Sequence, residues 1–113
     1  MLAKENRLRK TNDFDKVFKK GRAYKEDFLF VKIAENGLED SRFGFVVSKK
    51  FSKKALDRNK IKRQLRGLIK LKLPDIKKGL DIIILVIPGL KDQDFSQLSG
   101  TIDKIFKKAK IIN

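Results

Sequence analysis

The sequence predicts an α+β or mixed α/β fold in which helices cover a sheet of about four strands. Three observations predict it. Helical periodicity occurs near the start, in the middle and at the end of the chain; aromatic and β-branched runs lie between the first two helices; one continuous apolar run precedes the last. With 113 residues and 41% hydrophobic content, the chain is long enough for one core. We therefore expect a single domain over residues 1–113, with a loosely held basic arm over about residues 1–10.

The first helix is expected to start at Thr11 or Asn12, either of which can cap it, and to end at Gly21. Its apolar side chains are Phe14, Val17 and Phe18. Two interpretations of the aromatic pair stay open. Residue type favours packing in the core, whereas the alternative is a groove in which unpaired bases stack on the rings.

Two main strands, the first preceded by a short one, are predicted before the central helix. Residues from Tyr24 to Ile33 are aromatic or β-branched enough for a strand, preceded by a short strand near Arg22. The Glu-Asn-Gly stretch at 35–37 then turns the chain, and residues 42–48 form a second strand, so we expect an antiparallel hairpin. The basic segment that follows contains Lys49, Lys50, Lys53 and Lys54 around Phe51.

The central helix is predicted over Asp57 to Leu73, with Asp57 as its N-cap and Pro74 as its stop. Its apolar stripe contains Ile61, Leu65, Leu68 and Ile69. Its cationic side contains Asn59, Lys62, Arg63, Arg66 and Lys70.

The charge of this helix has two interpretations. A basic face is often merely a solvated surface. However, Arg58, Lys62 and Arg66 are spaced four residues apart with no acid inserted among them, so they repel one another. This repulsion favours an external polyanion, because Arg forks and the interleaved Asn59 suit phosphate oxygens and sugar hydroxyls.

The end of the chain predicts a strand and a helix. Residues 81–87 are apolar without alternation, which indicates a strand covered on both faces, and Pro88-Gly89 ends it. The last helix is expected over about Asp94 to Lys110. Its buried side is predicted to contain Phe95, Leu98, Ile102, Ile105, Phe106 and Ala109.

The composition indicates which kind of partner the protein binds and excludes several kinds of catalytic and metal site. The 29 Lys and Arg against 14 Asp and Glu give a formal charge of +15 and a pI near 10.2, which makes nucleic acid the leading partner. An anionic membrane is the other candidate, but each apolar segment is too short to span a bilayer. Without cysteine or histidine, the chain lacks disulfides, thiolate chemistry, cysteine zinc sites and the commonest general base. No signal-peptide pattern is present at the N-terminus, so a cytoplasmic location is expected.

Taken together, the motifs resemble the protein subunit of bacterial ribonuclease P. The segments that carry the resemblance are Asn6-Arg7-Leu8, Asp13-Phe14, Val17-Phe18, Arg42-Phe43-Gly44-Phe45-Val46-Val47-Ser48-Lys49-Lys50 and Arg58-Asn59-Lys60-Ile61-Lys62-Arg63-Gln64-Leu65-Arg66. The resemblance implies a ribosomal protein S5 domain 2-like fold in the order α-β-β-β-α-β-α, with a left-handed βαβ crossover.

The resemblance also implies site residues. The basic helix would contact the catalytic RNA through Arg58, Asn59, Lys60, Lys62, Arg63 and Arg66. A cleft between the first helix and the sheet would receive the 5′ leader of precursor tRNA. Its lining would be Phe14, Phe18 and Val31, with Lys49 and Lys50 near the rim. Lys60 stands where the family has Arg, which keeps the charge but loses a bidentate fork. Val31 stands where relatives often have an aromatic residue, so stacking there is weaker or comes from Phe28 or Phe30.

The function implied by the resemblance is assistance to an RNA enzyme. The partners would be ribonuclease P RNA, in a one-to-one ribonucleoprotein, and precursor tRNA, from which the holoenzyme cuts the 5′ leader. The RNA would hold Mg²⁺ and carry out the chemistry, and the protein would have no catalytic residue and no metal ligand of its own. The alternatives are a ribosomal or other structural RNA-binding protein and a stand-alone nuclease.

Overall fold

The computed structural model describes residues 2–49, 53–87 and 95–112. The elements in chain order are α1 (Thr11–Lys20), β1 (Arg22–Glu26), β2 (Leu29–Glu35), β3 (Arg42–Val47), α2 (Ala55–Lys72), β4 (Leu80–Val86) and α3 (Phe95–Lys108), with 3-10 turns at Lys4–Asn6 and Leu73–Asp75. This order confirms the predicted α-β-β-β-α-β-α sequence of elements. The four strands form one mixed sheet, as expected.

The strands are ordered β1-β2-β4-β3. β1 and β2 are antiparallel, as are β2 and β4, whereas β3 and β4 are parallel and α2 is the crossover between them. The antiparallel hairpin predicted between the strands at 24–33 and 42–48 is wrong, because β4 lies between them. β4 is the most apolar strand of the four, and the inner position buries it between two neighbours and under both layers of helices. The left-handedness of the crossover stays a prediction.

The predicted strand from Tyr24 to Ile33 is in fact a hairpin of two strands. Asp27, with φ of 52°, occupies the turn between β1 and β2. An aspartate tolerates this left-handed conformation better than most residues do. The apolar run of β2 already begins at Phe28, within the turn, because Phe28 is buried in the core rather than exposed at a loop tip, and this concealed the turn in the sequence.

One face of the sheet packs against α2 and α3 and carries the main core. Alternate residues of each strand point to this face. Its fully buried members include Leu29, Val31, Ile33, Phe43, Ile82, Ile84 and Val86 from the sheet, and Leu65, Leu68, Ile69, Leu98, Ile102, Ile105 and Phe106 from the helices. The apolar stripe predicted for the central helix is thus confirmed, although one of its four residues, Ile61, is only half-buried. In α3 the predicted apolar side is buried; the side chain of Phe95 lies outside the described residues, as do Asp94 and the Pro88-Gly89 strand end.

The opposite face of the sheet packs against α1 and is only partly covered. Its small core consists of Leu8, Val17 and Ile83, with Phe14, Ala34 and Val46 partly buried around it. Phe30 and Leu85 point to the same face, since they alternate with residues of the main core, and both are half-exposed. Because α1 is ten residues long, it leaves an apolar part of this face open.

The predicted helix caps are wrong by one to three residues. Lys10 precedes α1 and Lys54 precedes α2, and neither makes a side-chain capping bond. Thr11 is instead the first residue of α1, and Asp57 lies within the first turn of α2, where a carboxylate still favours the positive end of the helix dipole. Gly21 does end α1, as predicted. A Cβ at Gly21 would lie 2.4 Å from the Val17 carbonyl oxygen, so close approach requires glycine there.

The prediction of a loosely held N-terminal arm is also wrong. Leu2 and Leu8 are only 2% and 5% exposed. The Leu8 backbone N–H donates to the Phe43 carbonyl oxygen at 2.9 Å, and the backbones of Arg7 and Phe43 form an isolated parallel β-bridge. The N-terminal segment therefore adds to the free edge of β3. Leu2 joins the main core, and Leu8 joins the small core on the α1 face.

Candidate RNA interface

The cations of α2 lie on the side of the helix away from the core. The residues predicted to contact RNA divide into two rows. Asn59, Lys60 and Arg63 are exposed, and Arg58, Lys62 and Arg66 are half-buried. Within the described part of the chain, no carboxylate pairs with Lys60, Lys62, Arg63 or Arg66. These four cations thus present positive charge that no carboxylate of the described residues neutralises, which is suited to a polyanion.

Lys62 and Arg66 of the half-buried row line a groove along the free edge of β3. This β3-edge groove has a volume of about 210 Å³. Its cations are Arg7, Arg9, Lys62 and Arg66, and its floor is formed by Leu2, Leu8, Phe14, Phe43, Gly44 and Phe45. Four cations over an apolar floor give a strong local field, because the floor does not screen them as water does.

The N-terminal segment supplies half of these cations, and its hydrogen bonds hold them in place. The Asn6 side-chain amide donates to the Ser41 carbonyl oxygen at 2.9 Å, and Arg7 Nε donates to the Leu2 carbonyl oxygen at 3.1 Å. Arg7 and Arg9 were not among the predicted contact residues. The apolar residues Leu2 and Leu8, which flank Arg7 and precede Arg9, are the signal in the sequence that this segment docks.

The predicted leader cleft corresponds to the open part of the α1 face. Phe14 is half-buried there, and Phe18 is 42% exposed. Both rings are thus available at a surface, as the base-stacking interpretation requires. We call the residues Phe14, Phe18, Phe30, Val46 and Leu85 the aromatic strip; Phe30 pairs with Leu85, which pairs with Val46, across three adjacent strands.

Val31 does not belong to this surface, and its predicted place in the cleft is wrong. Its side chain has no exposed area and points to the opposite face, into the main core beneath α2 and α3. The reason is strand alternation: a residue one position from Phe30 must face the other way. Phe28 is also in the main core, at 6% exposure, so Phe30 is the aromatic residue that the sheet itself offers to the strip.

Lysines border the strip. Lys32 follows Phe30 on the same face and donates from Nζ to the Phe18 carbonyl oxygen at 3.0 Å, which ties the last turn of α1 to β2. Lys49 is exposed just after β3, near the end of the strand that carries Val46. Lys50, the other predicted rim lysine, lies outside the described residues.

An ion-pair cluster beside the strip attaches the first turn of α1 to the sheet. Arg42 donates from Nε and Nη2 to the two carboxylate oxygens of Asp81, at 2.8 and 2.6 Å, and from Nη1 to Asp13 at 3.3 Å. The Asn36 side-chain amide also donates to Asp81, at 2.9 Å. Hydrogen bonding to Asp81, followed by the charges of Asp81 and Asp13, raises the pKa of Arg42 above its ordinary value, against an opposing effect of burial. Arg42 therefore stays charged throughout the pH range in which proteins fold.

The carboxylates of the described residues are not arranged as a metal site. No group of three or more lies together in the ranges 2–49, 53–87 and 95–112. The nearest pair in the ion-pair cluster, Asp13 and Asp81, is already engaged by Arg42. A concave pocket of about 550 Å³ next to this cluster mixes these acids with Lys16, Lys20 and Arg22, so it is less suited to a polyanion than the β3-edge groove. Among the described helices, none is long and apolar enough to cross a membrane.

Comparison with known proteins places the chain in a family. The family model described as Ribonuclease P matches residues 2–110. The ribonuclease P protein component of a Pseudanabaena species is 39% identical over 114 residues, which cover 100% of this chain and 98% of the relative. That of a Synechocystis species is 34% identical, with 99% and 91% covered.

Solved structures give the same result. The RNase P protein of Staphylococcus aureus superposes with a TM-score of 0.87 at 32% identity, covering 96% of this chain and 98% of that one. The RNase P protein of Thermotoga maritima superposes with a TM-score of 0.83 at 33% identity, covering 90% and 96%. These matches do not favour the alternative of a ribosomal or other structural RNA-binding protein. The chain therefore belongs to the ribonuclease P family, as its protein component, and the resemblance seen in its motifs is confirmed.

Proposed function

We propose that this protein uses two neighbouring surfaces for two RNA ligands. The exposed cations of α2 and the cations of the β3-edge groove bind the catalytic RNA of ribonuclease P, and the aromatic strip binds the single-stranded 5′ leader of precursor tRNA. The observation that carries this proposal is the placement of the two surfaces: α2 packs on one face of the sheet, the strip lies on the other, and they adjoin at Phe14, which also lines the groove. A folded RNA and an extended leader could thus be held side by side at the same time.

The chemistry of each surface supports its assignment. Arg and Lys side chains without internal counterions suit the dense phosphates of a folded RNA, whose binding releases counterions. Rings that are half-exposed, such as Phe14 and Phe18, suit unpaired bases, because stacking on aromatic side chains is tolerant of base identity. A leader differs in sequence from one tRNA to the next, so a tolerant surface is what such a ligand requires.

We further propose that the protein acts by binding and the RNA acts as the catalyst. In this assignment Mg²⁺ belongs to the RNA site, the ribonucleoprotein contains one copy of each subunit, and both work in the cytoplasm. The side chains of the protein position the leader and neutralise phosphates. None of them is assigned a proton-transfer or nucleophilic role.

Cleavage measured with the RNA tests the function. The chain is mixed with a bacterial ribonuclease P RNA and labelled precursor tRNA at modest Mg²⁺. We expect faster release of the leader than with RNA alone. Equal rates with and without the protein would refute the proposal, and cleavage by the protein without RNA would indicate a nuclease instead.

Binding by variants tests the leader surface separately. Phe14→Leu and Phe18→Leu each remove a ring but keep an apolar side chain. We expect each change to weaken holoenzyme binding to precursor tRNA more than binding to mature tRNA, which has no leader. Phe106→Leu is the matched control, since the same ring is lost from the main core under α3, away from both proposed surfaces. If Phe14→Leu and Phe18→Leu reduce binding of both tRNAs equally, the rings serve only in packing.

A further inference from the structure

Gly67 occupies an unusual place on the helix that is proposed to bind RNA. It lies in the middle of α2, five residues before its end, where a glycine is unfavourable because it gains nothing from packing and loses the most backbone freedom. Helical periodicity puts it on the side opposite Leu65, Leu68 and Ile69. The glycine is half-buried, and the side on which a Cβ would stand points away from the core.

The fold itself gives no reason for glycine at this position. A Cβ built on Gly67 would meet nothing within 4 Å among the described residues, so none of the described elements needs the space. Its backbone is helical rather than left-handed, so no turn requires it either. By contrast, Gly21 and Gly44 each have a neighbour within 2.5 Å of the built Cβ.

The surroundings of Gly67 indicate what approaches it. Arg63 lies one turn before it, and Lys60 and Lys70 flank the same side; all three are exposed. No ion pair neutralises any of them within the described residues. Leu71, one turn after Gly67, is 73% exposed. The glycine is thus a gap in the side-chain layer, surrounded by cations and bordered by one apolar side chain.

We propose that Gly67 is the point where the sugar-phosphate backbone of the RNA comes closest to the axis of α2. Without a Cβ, the helix surface is recessed at this point, and a ribose can contact the helix backbone while its two phosphates reach the flanking cations. Leu71 packs against the carbon atoms of that ribose. This inference rests on the proposed binding of the catalytic RNA by α2 and names the contact point within it.

Gly100 provides a matched control. It lies on the exposed side of α3, and a Cβ there also meets nothing within 4 Å. Its neighbour Asp103 is acidic and is paired with Lys72, so its surroundings carry both signs of charge. Replacing either glycine makes the same chemical change in an exposed helix, but only Gly67 is in the proposed contact.

The experiment measures the melting temperature of the free protein and the Kd for ribonuclease P RNA for Gly67→Ala, Gly67→Met, Gly100→Ala and Gly100→Met. Ala and Met are both good helix formers, so we expect each single change to raise the melting temperature by about 4 °C. We expect Gly67→Ala to weaken RNA binding about threefold and Gly67→Met at least about tenfold, since the larger side chain moves the backbone further away. The two Gly100 variants should bind as the unchanged protein does.

The outcomes separate this inference from the proposed function. If Arg63→Ala weakens RNA binding but both Gly67 variants bind normally, α2 binds the RNA and the contact point is wrong. If the unchanged protein does not bind the RNA, the proposed function and the inference are both refuted. If the Gly67 variants change only the sedimentation of the free protein, the recess is a contact between protein copies, and the inference is likewise overturned.

Discussion

Replacing Arg42 tests whether the ion-pair cluster holds α1 against the sheet. Arg42→Met keeps the aliphatic stem but removes the charge. Within residues 2–49, 53–87 and 95–112, Asp81 would then keep only the Asn36 side-chain amide as a hydrogen-bond donor to its carboxylate, although its side chain is just 8% exposed. Breaking a buried pair from one side typically costs 3–5 kcal/mol, because the remaining charge is left unpaired. Since Asp13 is 19% exposed and can regain water, we expect a loss of about 3 kcal/mol, the lower end of that range.

The assay is unfolding in urea, monitored by far-UV circular dichroism. Tryptophan fluorescence cannot serve as the signal because the chain contains no tryptophan. At roughly 4 °C per kcal/mol for a chain of this size, the same change should lower the melting temperature by about 12 °C. The matched control is Arg42→Met in an Asp81→Asn background. There the carboxylate is already gone, so the cost of losing Arg42 should fall to about 1 kcal/mol, a coupling of about 2 kcal/mol.

Two results would refute this reasoning. One is a loss below about 1 kcal/mol for Arg42→Met, which is the range of an exposed ion pair. The other is an equal loss in both backgrounds, which would mean that the guanidinium stabilises the protein through packing and not through Asp81. Asp13→Asn should cost less than Arg42→Met, because its contact with Arg42 is longer and more exposed.

Three further predictions concern the surfaces. Gly44→Ala would place a Cβ 2.5 Å from the Phe14 ring and push the ring aside, so precursor tRNA should bind several-fold more weakly in a filter assay while mature tRNA binds normally; an equal loss for both would contradict it. Leu8→Ala should lower the free energy of unfolding by about 2–3 kcal/mol, since the side chain is buried. A urea midpoint that does not move would mean that the N-terminal segment is undocked in solution. Arg63→Ala should reduce the slope of log Kd against log salt for RNA by about 0.7–0.9, and an unchanged slope would show that Arg63 contacts no phosphate.

Periodicity in the sequence was sufficient for the three helices and the main core, but not for the turn within the predicted strand from Tyr24 to Ile33 or for the order of the strands. The apolar run that became β4 was correctly predicted to be buried on both faces. Its two partner strands could not be predicted from it, because strand pairing depends on contacts between residues far apart in the sequence. Residues paired between β2 and β4, such as Val31 and Ile84, are about fifty positions apart, and those paired between β3 and β4, such as Phe45 and Ile84, are about forty apart. Local turn signals favoured the nearest strand as a partner.

The site was predicted unevenly for a related reason. The cations of α2 follow from helical geometry alone. Val31 was assigned by motif position, without the strand alternation that turns it into the core. Arg7 and Arg9 were missed because a short polar segment has no periodicity; only its docking on the β3 edge gives it a defined place.

The position of β4 between β2 and β3 determines when the sheet can be completed during synthesis on the ribosome. β2 and β3 emerge first and cannot pair with each other in the finished sheet, so each presents an open edge until residues 80–86 have been made. By then the whole of α2, with its many cations, has already been synthesised. Insertion of β4 closes both edges in one step and brings α2 over the main core. Neither RNA surface can exist as a shaped site before that step, so assembly with RNA must follow, or occur together with, completion of the sheet.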